Sequence, residues 1–397
     1  MASAKELKVH AVLLAGDVLD DEHDYFEAYG DLRSGVEELV AAGITVLAVS
    51  GNHDVEVLPR LARAVPPLVL LGEGGRWESH TLDDGKTTVN VVGWSFPASS
   101  VMTTPLASLA VTLAAQPPMT TIGLLHCDRD QSASSYAPVT SADLAAAGVD
   151  LWLLGHVHRP DRDLLAAPGA DTSAYSGGYL GGYLGGYLGS TFAADPGEEG
   201  ARGAWLAELN DDGITLQALP LSPLRFETLT IDVSELSDPN DISQLVTDSV
   251  TALHAKRQGA QGAVAVGLRL RLTGRTALRS EVVKQLHDDD PRDLLLTLDD
   301  TSYFVHDLRL EVLPAIDIGE AALGSDPLAL IARKLLILDG PPSQELELLL
   351  DQGREELSRV SNGRHYRDLE APLLDDEVVR GRLRRAALRL IDLMAER

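Results

Sequence analysis

The chain has 397 residues, 45% of them hydrophobic and 23% charged, so it is long enough for two or three domains that each bury a core. Sixty acidic residues against 33 basic ones give a net charge of −27, which argues against a protein that binds nucleic acid through a broad basic surface of its own. The sequence shows no charged-then-apolar leader and no apolar stretch of membrane-spanning length, and its one cysteine, Cys127, excludes an internal disulfide. These features predict a cytoplasmic protein without membrane contact.

Five apolar runs dominate the first 160 residues. In chain order they read VHAVLLAGD, ITVLAVSGNHD, VNVVGWSF, TIGLLHCD and VDLWLLGHVH. Continuous rather than alternating apolar runs indicate strands that are covered on both faces. Between the first two runs, residues 24–43 carry apolar side chains at helical spacing and end at Gly43, a predicted C-cap, and residues 141–148 predict another helix with Ser141 as N-cap. The pattern predicts a layered α/β domain.

The stretch SGGYLGGYLGGYLGS, residues 176–190, repeats GGYL with a period of four residues. A solenoid needs units of about 20 residues or more, so this repeat is too short to build one. Its glycine content favours a flexible loop instead.

After this loop, residues 201–210 predict the last strand of the first domain. Strand-like and helix-like segments then alternate in a β-α-β-α-β order, which indicates a small α+β domain over residues 213–320. Residues 321–397 predict separate helices, and the last of them carries an apolar stripe formed by Val379, Leu383, Ala387, Leu390 and Met394. The stripe fits two interpretations equally well: packing on its own domain, or docking on a partner.

Four of the apolar runs end in side chains able to bind a metal ion. These residues are Asp17, then Asn52 and His53, then His126, and finally His156 and His158. Each is weak evidence alone, because a lone histidine is more often a loop or core residue than a ligand. In open α/β sheets, however, ligand sites collect beyond the carboxyl ends of the strands, so their shared position predicts one common site.

Alternation along an extended chain would place His156 and His158 on the same side, within reach of two neighbouring ions. A set of Asp, Asn and His ligands without thiolates suits Mn, Fe or Zn. Two such ions support phosphoryl transfer, and a histidine beside them can protonate the leaving oxygen.

The pattern GD…GNHD…H…GHVH resembles the calcineurin-like metallophosphoesterase superfamily. The chain is also similar to one branch of that superfamily, the DNA-repair exonucleases that include the D subunit of the SbcCD nuclease. The segments that carry this similarity are AVLLAGDVLDDEHDYFEAY, LAVSGNHD, LLHCDRD and LLGHVHRP. The resemblance implies a β-sandwich core flanked by helices over residues 1–212, a capping domain over 213–320 and a helical partner-docking region over 321–397.

The resemblance also implies two divalent metal ions, manganese first, with Fe²⁺ or Zn²⁺ as alternatives. Asp17 would bridge both ions and His158 would bind the first, while the second would be completed by Asn52, His126 and His156. His53 would be the general acid, oriented by the carboxylate of Asp20, with Asp54 as a rival for that orienting role.

The family's opening Asp-x-His, which supplies two ligands to the first ion, does not occur before Asp17. Two alternative expectations follow. Either this sequence lacks the start of the enzyme, or this protein is a weakened or inactive member of the superfamily.

The resemblance predicts a DNA exonuclease or endonuclease subunit that works with an SbcC-like, SMC-type ATPase. Because the chain is acidic, the partner is expected to supply much of the DNA binding, and a homodimer is a further option. Two alternatives stay open: a general phosphoesterase acting on nucleotides or small molecules, and a catalytically impaired scaffold for the ATPase.

Overall fold

The computed structural model describes residues 1–20, 25–131, 133–161, 184–210, 213–256, 262–361 and 375–395. Two compact units are found among them: the first runs to Phe226 and takes in a short segment ending at Val264, and the second holds the rest. The predicted three-part division at residues 212 and 320 stays a prediction. No helix in the described ranges is long and apolar enough to cross a membrane.

The described part of the first unit contains three sheets. A parallel sheet has the order β1-β2-β3, with strands Ala11–Ala15, Thr45–Val49 and Leu68–Leu70. A five-stranded sheet has the order β4-β5-β6-β7-β8, with strands Trp77–Asp83, Thr88–Trp94, Thr120–His126, Leu151–Gly155 and Leu184–Tyr187. In this sheet β4 and β5 are antiparallel and the other pairs are parallel. An antiparallel pair follows, formed by β9 (Gly203–Asn210) and β10 (Gly213–Pro220).

An apolar core joins the first two of these sheets face to face. Its fully buried members come from β2 on one side and from β5, β6 and β7 on the other, and include Leu47, Val49, Val91, Leu124 and Leu151. Burying an aliphatic side chain of this size contributes about 1.5–3 kcal/mol relative to leaving it exposed. The predicted β-sandwich is therefore confirmed.

Helices cover the outer faces of the sandwich, as the continuous apolar runs predicted. The helices of this unit are α1 to α5, with bounds Ala2–Glu6, Tyr25–Ala41, Val57–Ala64, Leu109–Ala114 and Ser141–Ala146. On one side Leu39 of α2 packs with Val46 of β2, and on the other Leu144 of α5 packs with Trp152 of β7. Each central strand is thus buried on both faces.

The ends of two helices test the capping predictions. After α2, Gly43 adopts φ +80°, and the amide of Ile44 bonds the carbonyl of Leu39 at 3.0 Å, so the predicted C-cap is confirmed. The predicted N-cap of α5 is wrong by one residue: the hydroxyl of Thr140, not Ser141, accepts the amide of Asp143 at 3.0 Å.

The GGYL repeat contains a strand. Residues 184–187 form β8, which pairs in parallel with β7, so the predicted loop is wrong for this last unit. Tyr187 is 6% exposed, and its hydroxyl donates to the carbonyl of Cys127 at 3.1 Å and accepts the amide of Arg129 at 2.6 Å. Such anchoring outweighs the low strand propensity of glycine. The repeat's earlier units, up to residue 183, lie outside the described residues.

One buried side chain of β5 is a point of instability. Asn90 is fully buried, and neither its amide nitrogen nor its carbonyl oxygen has a hydrogen-bond partner within the described ranges. An unpaired buried polar group costs about 1–3 kcal/mol. We therefore expect Asn90→Leu, which has a similar shape and no polar atoms, to raise the free energy of unfolding by roughly that amount.

Chemical denaturation of both proteins measures this difference. The exposed Asn240→Leu is the matched control, and its free energy of unfolding is expected to stay within about 0.5 kcal/mol of the parent value. A clear loss of stability in Asn90→Leu would contradict the prediction, because it would mean that the amide has partners.

The second unit centres on a four-stranded sheet with two covering helices. The sheet has the order β11-β12-β14-β13, with strands Leu224–Asp232, Ala265–Thr276, Leu295–Leu298 and Thr301–Pro314 numbered β11 to β14 along the chain. Strand β12 is parallel to β14, which fits a helical crossover between them. The two helices are α6 (Ile242–Lys256) and α7 (Arg279–Asp288). The predicted α+β character is confirmed.

In the described part of the chain after the sheet there are four helices, α8 to α11, with bounds Ile318–Ala321, Pro327–Asp339, Gln344–Ser361 and Asp376–Ala395. Val379 of α11 packs with Leu338 and Leu350 in one small core, and Ala387 of the same helix packs with Leu335 in another. Part of the predicted stripe is thus buried on the chain's own helices. The rest of it stays exposed, because Leu390 and Met394 are 46% and 37% accessible.

Candidate metal centre

Four strands of the sandwich end next to one another and present polar side chains there. Asp17 follows β1 by two residues, Asn52 follows β2 by three, His126 is the last residue of β6, and His156 comes directly after β7. These strands are parallel within their sheets, so their carboxyl ends share one edge of the sandwich. The predicted convergence of these four residues is what the structure shows.

The buried ring of His126 lies at the centre of the group. Its Nε2 atom is 3.1 Å from a carboxylate oxygen of Asp17, 3.2 Å from the amide oxygen of Asn52 and 3.2 Å from Nδ1 of His156. Its other nitrogen, Nδ1, is 3.0 Å from the carbonyl oxygen of Ala15. Because a carbonyl oxygen only accepts, Nδ1 carries a proton, so in the neutral form of the ring the lone pair of Nε2 faces the other three residues.

This donor set fits a divalent cation. The ligand atoms of Asp17, His126 and His156 all lie within 4.8 Å of one another, and the Asn52 oxygen faces the same point. Four electron-rich atoms that face each other without a shared proton repel, and a cation between them removes that repulsion. Two imidazoles with carboxylate and amide oxygens are a set that Mn, Fe and Zn accept. The residues present therefore suit one metal position.

The electrostatics of the group favour the ligand forms of these side chains. Burial alone would raise the pKa of Asp17, but the hydrogen bond and charge of His126 in its protonated form, helped by the amide of His53, hold it below its ordinary value. Burial, together with the neighbouring His126, lowers the pKa of His156. A carboxylate and a neutral imidazole are the forms that bind metal ions.

Asp54 fixes the turn that carries Asn52. Its fully buried carboxylate accepts the amide of Gly51 at 2.7 Å and the amide of Val18 at 2.8 Å, so it joins the segments after β1 and β2. Burial raises the pKa of Asp54 to about 6. Gly51 itself has no room for a side chain, since a Cβ atom there would overlap the Asp17 carboxylate. The sequence GNHD thus encodes a turn as well as a ligand.

His53 lies at the edge of the group with an exposed side chain. Its amide donates to the Asp17 carboxylate at 3.0 Å, and its Nδ1 is 3.0 Å from the carbonyl oxygen of Asp20. The orienting contact predicted for the Asp20 carboxylate therefore comes from the main chain of that residue. Asp54, the rival for this role, holds the turn instead. The assignment of His53 as general acid stays a prediction.

His158 has a different set of contacts. The premise of extended alternation does not hold, because β7 ends at Gly155 and His156 adopts φ +96°. The Nδ1 atom of His158 is 2.6 Å from a carboxylate oxygen of Glu198, and the ring is more than half exposed. Binding of a further ion by His158 stays a prediction.

Sequence reasoning missed two acidic partners of the histidines. Glu198 contacts His158, and a carboxylate oxygen of Asp128 is 3.3 Å from Nε2 of His156. The only signal for Asp128 in the sequence was its place two residues after His126, whereas nothing local marks Glu198. Cys127, which lies between His126 and Asp128 in the sequence, is fully buried. Burial raises the pKa of its thiol far above the usual range, so it is not a thiolate ligand.

Comparisons with known proteins match two parts of this chain. Residues 2–160 match the family model described as calcineurin-like phosphoesterase, and residues 226–312 match the one described as the middle domain of metallophosphoesterase YhaO. The second match begins where the first compact unit ends.

A relative from Bacillus subtilis (strain 168), the uncharacterized metallophosphoesterase YhaO, is 26% identical over 261 residues. The alignment covers 62% of this chain and 57% of the relative, so the chain spans a little over half the length of that protein. A solved structure aligns with 39% of this chain and 76% of its own at 11% identity, and its TM-score of 0.27 is too low to bear on fold or function.

Proposed function

We propose that this chain is a calcineurin-like metallophosphoesterase that hydrolyses phosphodiesters with the help of divalent metal ions, since residues 2–160 match that family model. The observation that carries the proposal is the meeting of Asp17, Asn52, His126 and His156 around one point, with His53 beside them. The family implies divalent ions, and we propose manganese for them.

When bound, the ion supplies Lewis-acid stabilisation of negative charge on the phosphoryl oxygens. Asp17, Asn52, His126 and His156 would hold it, and a second ion would draw on Asp17 and His158. Asp17 is suited to a shared position because one of its oxygens faces His126 while the other accepts the amide of His53.

His53 is suited to proton transfer. The carbonyl of Asp20 accepts from Nδ1, which leaves Nε2 as the site where a proton is gained or lost. The exposed ring can approach a bound phosphodiester, while its amide is tied to Asp17. In the protonated form it would give its proton to the oxygen of the leaving group.

We further propose DNA as the substrate and an SMC-type ATPase of the SbcC kind as the partner. The motifs around the four strand ends support a DNA-repair nuclease, and the exposed Leu390 and Met394 of α11 offer an apolar surface for a partner. With a net charge of −27, the chain is expected to depend on that partner for much of its DNA binding.

Hydrolysis of bis(p-nitrophenyl) phosphate in the presence of Mn²⁺ tests the enzymatic proposal. We expect turnover that is lost on chelation, and we expect His53→Ala to reduce the rate by roughly 10²- to 10⁴-fold, the usual contribution of a positioned general acid. His10→Ala is the matched control, because this exposed histidine lies outside the metal group and contacts Asp84.

Three outcomes would contradict the proposal or part of it. Equal rates for His53→Ala and the parent would remove His53 from the chemistry. An absence of Mn²⁺-dependent turnover together with tight binding of the ATPase would support the scaffold interpretation. Turnover of small diesters that the ATPase and DNA leave unchanged would instead favour a general phosphoesterase.

A further inference from the structure

His156 is held between a metal-facing neighbour and a carboxylate. Its Nδ1 atom is 3.2 Å from Nε2 of His126, and its Nε2 atom is 3.3 Å from a carboxylate oxygen of Asp128. The side chains of Asp128 and His156 are each only 18% exposed, so solvent screens their interaction weakly. The two nitrogens of the His156 ring therefore have different neighbours: Nδ1 faces His126, and Nε2 faces the carboxylate of Asp128.

The main chain and Ser134 fix the position of Asp128. The amide of Asp128 donates to the carbonyl of Tyr136 at 2.8 Å, and its carbonyl accepts the amide of Val139 at 2.9 Å. The hydroxyl of Ser134 donates to the carboxylate oxygen that does not face His156, and the same hydroxyl accepts the amide of Tyr136 at 2.9 Å. The carboxylate is thus set in place before any ligand arrives.

The rings on either side restrict His156 as well. Its centroid is 5.1 Å from that of His126 at 71° and 5.0 Å from that of Tyr136 at 41°. Its backbone has φ +96°, which L residues other than glycine rarely adopt. Strained backbone of this kind persists where the surroundings fix it and is concentrated at functional sites.

We propose that Asp128 is a positioning residue that makes His156 a metal ligand through Nδ1. A carboxylate beside Nε2 keeps the proton on that nitrogen, which leaves the lone pair on Nδ1 directed at His126 and Asp17. His126 is set in the opposite sense, with Nδ1 donating to Ala15 and Nε2 free to bind. This inference rests on the proposed function only in requiring that the group binds a divalent ion.

Isothermal titration of the 397-residue chain with Mn²⁺ tests it without any substrate. We expect Asp128→Asn, which keeps the shape and loses the charge, to weaken Mn²⁺ binding by roughly 10- to 100-fold, as is typical when the outer partner of a ligating histidine is changed. We expect Asp128→Glu, which keeps the charge, to bind more tightly than Asp128→Asn. Ser134→Ala, which frees the carboxylate, should give a smaller loss of a few fold.

Asp130→Asn is the matched control. It removes one negative charge two residues away, but the Asp130 carboxylate bonds the amide and hydroxyl of Ser141 and no histidine. Its Mn²⁺ affinity is expected to equal that of the parent. Far-UV circular dichroism of each metal-free variant establishes that the fold is kept, and Ser134→Ala serves if Asp128→Asn does not fold.

The outcomes separate this inference from the function it rests on. If the parent binds Mn²⁺ and folded Asp128→Asn binds it equally well, Asp128 has no positioning role and the inference is overturned, while the metal site stands. Equal losses in Asp128→Asn and Asp130→Asn would also overturn it, because long-range charge would then explain both. If the parent itself binds no Mn²⁺, the proposed function and this inference both fail.

Discussion

Replacing His126 with alanine is expected to weaken Mn²⁺ binding by at least about 100-fold, more than the loss of any outer partner. The ring supplies the central donor, since Asp17, Asn52 and His156 all face its Nε2 atom. The stabilisation that a metal ion gives to the reacting phosphoryl group is worth several kcal/mol, so phosphodiester hydrolysis should fall by roughly 10³-fold or more. Calorimetric titration and steady-state rates measure the two effects.

The variant also opens space beneath the site, because His126 is fully buried and bonds the carbonyl of Ala15. His126→Gln fills more of that space, and it should lose metal binding while unfolding closer to the parent. His287→Ala, an exposed histidine of α7, is the control and should leave affinity and rate unchanged. Parent-like Mn²⁺ affinity in folded His126→Ala would contradict the proposed ligand set.

Gly155→Ala is expected to damage both the fold and the site. Gly155 ends β7 where it passes β1, and a Cβ atom there would overlap the carbonyl oxygen of Ala15 and lie 2.7 Å from Nδ1 of His126. The obstacle is backbone and cannot rotate away. We therefore expect the free energy of unfolding to fall by about 3 kcal/mol or more, at the upper end of the range for overpacked cores, and Mn²⁺ affinity to fall with it.

The matched control is Gly30→Ala in α2. A Cβ atom at Gly30 meets nothing within 4 Å, and the residue is exposed in the middle of a helix. Alanine should therefore stabilise the protein by about 0.5–1 kcal/mol. Urea denaturation monitored by circular dichroism compares the two variants, and a Gly155→Ala protein as stable as the parent would mean that β1 and β7 approach each other less closely than described.

The sequence predicted where the four candidate ligand side chains lie in the fold, because the strands before them are apolar and continuous. Runs such as those ending at Asp17 and His126 are long enough to be buried strands, and parallel strands bring their carboxyl ends together. Chain order and strand ends therefore located the group, and the resemblance supplied the roles. The three-residue strand β3 and the eight-residue strand β10 were not predicted, because three apolar residues and a weakly alternating segment give little periodic signal.

The orientation of each ligand could not be predicted in the same way. The φ of +96° at His156 and its contact with Asp128 depend on a loop that folds back through Tyr136 and Val139. These are contacts between residues distant along the chain, and no local pattern encodes them. His158 is the clearest case. The alternation of side chains along extended backbone, which would put it on the same side as His156, ends with β7 at Gly155.

The sequence also failed to predict the strand or the burial of residues whose local propensity opposes it. Tyr187 lies in a glycine-rich repeat that reads as a loop, yet tertiary contacts to Cys127 and Arg129 hold it in a strand. Asn90 interrupts an apolar run in β5, and only the structure shows that its side chain is buried without partners in the described residues.

We propose that Asp17, Asn52, His126 and His156 bind one divalent ion between them. Crystals of the protein grown with Mn²⁺ and measured at the manganese absorption edge test it most directly. We expect an anomalous peak coordinated by carboxylate, amide and imidazole atoms of these four residues, with His156 bound through Nδ1. A well-ordered site without such a peak, or a peak bound by other residues, would contradict it.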